Sequence, residues 1–452
     1  MHVLDATPIW WRPEPVASRP SGSQGSVAFA ALVTFTAILL LSPQAWFPVL
    51  QHFRIAFLAA GFAIVMYLLE SSVRRQVVGP LRPEFAITLV LVLWATLTVP
   101  LSYWPGGSVD QLIDPFLKVV VFFWLVASLV TSFQRLRLFM WVLVLCSIPL
   151  SVSALQSYWA GNFLISPDAS APRITGFNDG GSGLAGNPND LALTLNLMIP
   201  IAVALLTMER SIYARAVATL ALLLSAGGVI VTFSRAGFLT LVIIALLSVG
   251  PMLRRAPVAA TLLLLGLVVS TPWMLPAGYT QRLNTITDIA SDPTGSAQGR
   301  WVDLAAAADI VTRTPVVGVG LGQNVLALNR ERGPTWRMVH NVYLQYAVDL
   351  GVPGLLLFLW LFVTVFRRVR RVRRLSTRIS TLNQVGAAAR GVQIALCAFA
   401  VAALFYPVAY QFYFFLIAGL ALAVANVSRT TIAAHPVQLT PDTPPAPEPD
   451  AT

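Results

Sequence analysis

The sequence predicts an all-α polytopic membrane protein with about twelve transmembrane helices, and three observations carry that expectation. Hydrophobic residues fill 56% of the 452 positions and charged residues only 11%, a balance that no soluble domain of this length sustains. Mean hydropathy is +0.73. The apolar residues also gather in runs of about 17 to 25, the length needed to cross roughly 30 Å of hydrocarbon.

In chain order the runs fall near residues 26–45, 53–70, 84–102, 112–131, 136–156, 189–207, 213–232, 236–252, 256–275, 341–366, 389–406 and 411–427. The first is too long for a signal-peptide core and lacks a small-residue cleavage site, so it reads as a span. Two long polar stretches interrupt the pattern, at about 157–188 and 276–340. Residues 1–25 and the Pro-rich 428–452 read as disordered tails on either side of one transmembrane domain, 26–427.

Arginine placement orients the spans, because Lys and Arg collect in cytoplasmic loops beside them. With the N-terminus cytoplasmic, that side holds Arg12, Arg19, Arg74, Arg75, Arg82, Arg135, Arg137, Arg210, Arg215, Arg254, Arg255, the Arg367–Arg378 run, Arg390 and Arg429. These are 20 of the 30 basic residues. Both termini are then cytoplasmic and both long loops lie on the outer face. RRVRRVRR (367–374) follows a span directly, so it reads as an orientation signal that meets anionic lipid headgroups, and a nucleic-acid partner is not expected. Cys146 and Cys397 fall inside spans, which leaves no disulfide framework or Cys-based zinc site in the loops. With no D-x-D and no outer acidic pair at ligand spacing, neither metal nor cofactor is expected.

Ten basic residues remain outside that pattern: Arg54, Lys118, Arg173, Arg235, Arg282, Arg300, Arg313, Arg330, Arg332 and Arg337. All but Lys118 fall at or near the outer face, where an anionic ligand would explain them, since guanidinium forks match phosphate geometry. Arg235, in VTFSRAGFLT, stands in a turn too short to hold a domain; a snorkelling anchor is its bland reading. Arg173 belongs to a Gly-rich loop that becomes helix at Asn189 or Asp190, either of which can cap exposed N–H groups. Arg300 opens a segment in which Trp301, Leu304, Ala308 and Val311 recur at helical spacing, as in an amphipathic helix on the membrane surface. The glycines of GVGLGQ follow no strand and read as hinges or points of close approach, not as a nucleotide loop.

His340, in RMVHNVYLQYAVDLGVPG, lies about seven residues, or roughly 10 Å of helix, outside the expected hydrocarbon boundary. An imidazole at headgroup depth suits a general base that activates a hydroxyl. A helix-capping histidine is the competing reading, and Asp110, Asp179 and Asp190 are the alternative carboxylate bases.

GNPNDLA (186–192), TFSRAGF (232–238), GRWVDLA with TPVVGVGLGQN (299–324) and HNVYLQYAVDLGVPG (340–354), in that order, resemble the O-antigen ligase and polymerase superfamily of bacterial envelope glycosyltransferases. The resemblance implies a GT-C-like membrane fold. It implies transfer of a glycan from undecaprenyl diphosphate, without a metal and with inversion, to a hydroxyl on a lipid- or glycan-linked acceptor such as lipid A-core. Carried onto this sequence, it makes His340 the base and places Arg173, Arg235, Arg300, Asn187, Asn189, Asn341 and Tyr343 around the substrates, at the outer face of the inner membrane. A polymerase of the same superfamily is the near alternative. A lipid-linked glycan flippase is the distant one: no internal repeat is evident, and Asp114 and Lys118, the charged pair inside a span, sit four residues apart and neutralise each other.

Overall fold

A computed structural model of the chain describes residues 26–45, 47–53, 55–73, 82–163, 174, 187–255, 257–258, 279, 283, 296–334 and 336–434. The expected span at 256–275 apart from 257–258, both predicted tails apart from 428–434, Arg54, Arg173, Asp179, Arg282 and most of the first long loop lie outside the described residues.

The described residues form helices and connecting turns, with no strand among them. They are α1 (Val27–Leu41), α2 (Ile55–Val73), α3 (Pro83–Thr98), α4 (Pro105–Leu129), α5 (Phe133–Trp159), α6 (Pro188–Met208), α7 (Ile212–Val231), α8 (Arg235–Arg255), α9 (Ser296–Arg313), α10 (Asn324–Arg332), α11 (Val342–Ser376), α12 (Asn383–Ala402) and α13 (Phe412–Ala434). Nine of the described helical stretches are long and apolar enough to cross a membrane, and α1 and the apolar part of α8 are shorter apolar helices. The protein is an all-α polytopic membrane protein. Helix α13 continues to Ala434, so the tail expected from residue 428 begins as helix.

The bundle is built around α13, whose apolar window is 94% buried, whereas that of α2 is 6% buried and faces outward. Lipid removes the usual hydrophobic drive between helices, so close contact of small residues must supply the packing. Ala418, Gly419, Ala421, Ala423 and Ala425 give α13 such a surface, and a Cβ at Gly419 would press on Val126 of α4. At the α6–α12 crossing, a Cβ at Gly391 would meet the Pro200 carbonyl. Helix α4 carries a π turn at Leu112–Phe116 around Pro115, and the Asp114–Lys118 pair beside it is an exposed i,i+4 ion pair, as expected.

One end of the bundle collects the basic residues that the sequence placed on one side. Arg137 grips Glu209 through two bonds of 2.6 Å, and Trp141 Nε1 donates to the same carboxylate at 2.8 Å. That pairing holds the Glu209 carboxyl below its ordinary pKa, the Arg137 hydrogen bond being the largest cause. Arg368 of α11 pairs with the fully buried Glu84 of α3, and Arg390 donates to the Ser248 carbonyl at 2.7 Å.

At the other end, α9 and α10 form a helical hairpin in the second long loop. Its packed face is Asp303, Ala307 and Ile310, whereas Trp301 and Ala308 of the expected stripe are exposed. The face turns because Asp303, 1% exposed, is drawn inward by Arg332, which also donates to the Gly299 carbonyl at 3.2 Å. Three of the arginines expected on the outer face therefore have partners in the protein. Arg332 holds Asp303, Arg313 bridges Asp309 (2.6 Å) and Glu331 (2.8 Å), and Arg330 lies 3.9 Å from the centre of the Tyr103 ring. Removing one member of a buried pair strands the other charge at a cost of about 3–5 kcal/mol, whereas an exposed pair contributes little. Arg332→Ala is expected to open the hairpin to limited proteolysis and lower its unfolding temperature. Arg313→Ala should leave the cleavage pattern unchanged.

Candidate functional site

The geometry at this end begins with a break in α11. At Gly351 (φ +69°) the helix stops and restarts, with Pro353 just beyond, and the carbonyls of Val348, Asp349 and Leu350 lose their helical donors. All three are satisfied from elsewhere. Val319 N–H donates to Val348 O (2.8 Å), Gly320 N–H to Asp349 O (2.9 Å) and Trp94 Nε1 to Leu350 O (2.8 Å), while Val352 N–H turns outward to Pro315 O (2.7 Å). The GVGLGQ loop is thus a strap across the break. A Cβ at Gly351 would collide with the Val316 carbonyl, and one at Gly320 (φ +104°) with Ser102. The glycines serve close approach, as the sequence indicated.

The N-terminal half of α11 carries His340 and its neighbours, and it docks on the Ala403–Gln411 turn between α12 and α13. Val342 N–H donates to Ala403 O at 2.8 Å, Tyr343 OH to Ala400 O at 2.9 Å, Tyr346 OH to Ala409 O at 2.8 Å, and Ala409 N–H to Gln345 Oε1 at 3.1 Å. Asn341 is the N-cap: its Oδ1 accepts from Leu344 N–H at 3.0 Å and its Nδ2 reaches Leu404 O at 3.4 Å. Asn341 and Tyr343, expected beside the substrate, here use their polar groups on the backbone. His340 is half-buried just ahead of the cap. Its Nδ1 lies 2.8 Å from Met338 O. A carbonyl can only accept, so in the neutral ring Nδ1 carries the hydrogen and Nε2 the lone pair.

The same turn holds the other half of the site through Tyr406. Its hydroxyl is 3.3 Å from Ser234 Oγ, which donates to Asn189 Oδ1 at 2.9 Å and accepts from Gly237 N–H at 3.2 Å. Asn187 caps α6 by accepting from Asn189 N–H at 2.9 Å. Arg235 begins α8 directly after Ser234, and Gly237 lies so close to α6 that a Cβ there would touch Ala192. Asp190, in the first turn of α6, lies within electrostatic reach of Tyr413. From the second long loop, the buried Tyr279 packs its ring 5.3 Å from Phe233, which itself adopts φ +54°.

Arg300 approaches from α9. The neighbouring Gly299 lies under the Arg337 guanidinium, three residues before His340, and α9 packs along α11 through Ala307, Ile310, Val339 and Val348. The structure thus ties the Asn189–Ser234 contact, through Tyr406, and the helix start at Asn341 to one turn, with Arg235 and His340 each next in sequence to a tied residue, and sets the Arg300 helix against the His340 segment. Helices α6, α8, α11 and α13 all start at this end, each contributing the partial positive charge of its N-terminus.

Residues 220–359 match the family model described as O-antigen ligase. Over that stretch, a little under a third of its length, the chain is similar to the O-antigen ligase superfamily. The stretch starts within α7 and ends within α11, so it takes in Arg235, Arg300, the GVGLGQ strap, His340, Asn341 and Tyr343, and leaves Asn187 and Asn189 outside. A search of curated proteins finds no match to the chain. The superfamily is one of membrane glycosyltransferase-like ligases and polymerases. A search of the sequence for charged and imidazole groups misses Ser234 and Tyr406, the link between the two halves; the Y-P flanked by apolar spans in LFYPVAYQ is the available signal. It misses Asn324 and the fully buried Asp349 as well, although an acidic side chain inside an apolar run is itself a marker.

The strap makes a direct prediction. Gly351→Ala forces a Cβ into the Val316 carbonyl at positive φ, a strain on the order of 1–3 kcal/mol. The variant should melt several degrees lower and lose activity, whereas Gly61→Ala on α2, where a Cβ meets nothing within 4 Å, should melt at or above the wild-type temperature.

Proposed function

We propose that the protein transfers a glycan from undecaprenyl diphosphate to an acceptor hydroxyl at the outer face of the bacterial inner membrane, as an O-antigen ligase. The observation that supports this most is that the Ser234–Arg235 and His340–Asn341 segments, both inside the matched residues 220–359, dock on the one Ala403–Gln411 turn. A guanidinium at the N-terminus of α8 suits a lipid-anchored diphosphate, and an imidazole with its lone pair on Nε2 suits a base.

In this reading Arg235 and Arg300 hold the diphosphate, with Arg173 as a further contact from the first long loop. His340 Nε2 takes the acceptor proton as the acceptor oxygen bonds to the anomeric carbon. The bond from that carbon to the diphosphate breaks on the opposite side, inverting the centre, and undecaprenyl diphosphate leaves with the bonding pair. The arginines stabilise the charge that gathers on it. Asn187, Asn189, Asn341 and Tyr343 act mainly by fixing the helix ends that carry these groups. No metal or cofactor is required by this scheme; lipid A-core or another lipid- or glycan-linked sugar is the acceptor.

Losing one donor to a developing anion costs about 10²- to 10³-fold in rate, and Lys keeps the charge of Arg without its planar fork. In a transfer assay with purified donor and acceptor, Arg235→Lys and Arg300→Lys should each fall by that order, and His340→Ala by about 10²- to 10⁴-fold. Full activity of His340→Ala would remove the base assignment. A ladder of repeat additions in place of one transfer per acceptor would identify a polymerase.

Orientation is tested in intact cells with an impermeant thiol reagent. Ser296→Cys, at the start of α9, should react, and Ser376→Cys, beyond the arginine run of α11, should not. The reverse pattern would put the site in the cytoplasm and exclude this donor.

A further inference from the structure

The chain between the α9–α10 hairpin and His340 is tied to the buried core of α11 through one side chain. Asn324, 2% exposed, receives its orientation from Asp349, 0% exposed: Asn324 N–H donates to Asp349 Oδ1 at 2.8 Å, and Asn324 Nδ2 donates to both carboxylate oxygens at 3.1 Å. With its amide nitrogen committed to the carboxylate, the Asn324 oxygen points the opposite way and accepts from Val339 N–H at 3.0 Å. Val339 is buried and directly precedes His340, and Met338, whose carbonyl sets the imidazole tautomer, directly precedes Val339. The relay therefore runs from the break in α11 to the histidine.

We propose that Asn324 is a positioning residue for His340, and that Asp349 is the anchor that orients it. The proposal rests on the reading of His340 as the base. Its physical content is a division of labour: helix α11 fixes His340 from the C-terminal side through the Asn341 cap, and Asn324 fixes it from the N-terminal side through Val339. Without the second tie, the 336–340 segment loses its hold on the helix and both the ring and the Met338 carbonyl drift together. Misplacing a reacting group by about 1 Å can cost on the order of 10²-fold.

The pair can be inverted. Asn324→Asp alone sets two carboxylates against each other, but Asn324→Asp with Asp349→Asn rebuilds the set. In the double variant the carboxylate at position 324 can accept from both the side-chain amide at position 349 and Val339 N–H, while the amide oxygen at position 349 accepts from the backbone N–H of position 324 and from that of Gly322, which Asp349 accepts in the wild type. Transfer is measured per mole of folded protein, with folded protein counted from the monodisperse peak in size-exclusion chromatography and donor binding measured separately. The expected result is a kcat about 10- to 100-fold lower for Asn324→Asp, with KM for the donor within about two-fold, and kcat restored to within a few-fold by the double variant. Should Asn324→Asp not fold, Val339→Pro removes the N–H that Asn324 accepts and should lower kcat in the same way with KM kept. A folded Asn324→Asp or Val339→Pro variant with normal kcat would overturn the proposal, as would an equal loss of kcat and donor binding, the signature of a merely structural role. His340→Ala in the same assay separates the two readings: if it stays active, the base assignment fails; if it is inactive while Asn324→Asp keeps its kcat, only the positioning role fails.

Discussion

A helix broken inside a membrane protein must find new partners for every backbone group it releases, because lipid supplies none. At Gly351 three carbonyls and one N–H are released together, and each finds a partner in the Pro315–Gly320 strap or in Trp94. Much of the loop-bearing end follows from that requirement. The strap fixes where α9 ends and α10 begins; α10 begins with Asn324; and the half-helix before the break is freed to tilt onto the Ala403–Gln411 turn. The end of the bundle that carries the superfamily motifs is in this sense an answer to a backbone hydrogen-bonding problem.

The same constraint explains why polar side chains concentrate there. Ser234, Asn189 and Tyr406 link α8, α6 and the α12–α13 turn through contacts of 2.9 and 3.3 Å, and Asn187, Ser234 and Asn341 each satisfy an N–H at a helix start. Caps of this kind close the helix ends while leaving their dipoles directed outward, so the positive potential offered to the proposed diphosphate comes from backbone as well as from arginine. The opposite end has another economy: its arginines meet Glu84, Glu209 and backbone carbonyls at the margin of the bundle.

The spans were readable because a bilayer imposes a run of about 20 apolar residues whatever the fold. The proposed site is legible in the sequence where a motif carries its own chemistry, as His340 and Arg235 do, and less so where a role depends on a distant partner. Arg332 looks like a ligand-binding arginine until Asp303, far from it in the chain, is found beneath it. The face of α9 turned for the same reason: one buried ion pair outweighed the apolar stripe of Trp301 and Ala308. Asn341 and Tyr343 sit where the motif put them, yet their polar atoms serve α11 and α12. The break itself was hidden by composition, since DLGVPG remains apolar through the helix interruption that its Gly and Pro mark.

The central claim is that the loop-bearing end separates two tasks, with guanidinium groups holding a lipid diphosphate and His340 moving a proton. Native mass spectrometry of the detergent-purified protein with undecaprenyl diphosphate tests that separation without any turnover. The account predicts that His340→Ala retains the lipid as the wild type does, and that Arg235→Lys combined with Arg300→Lys loses it. Retention by the double arginine variant, or loss from His340→Ala, would contradict it.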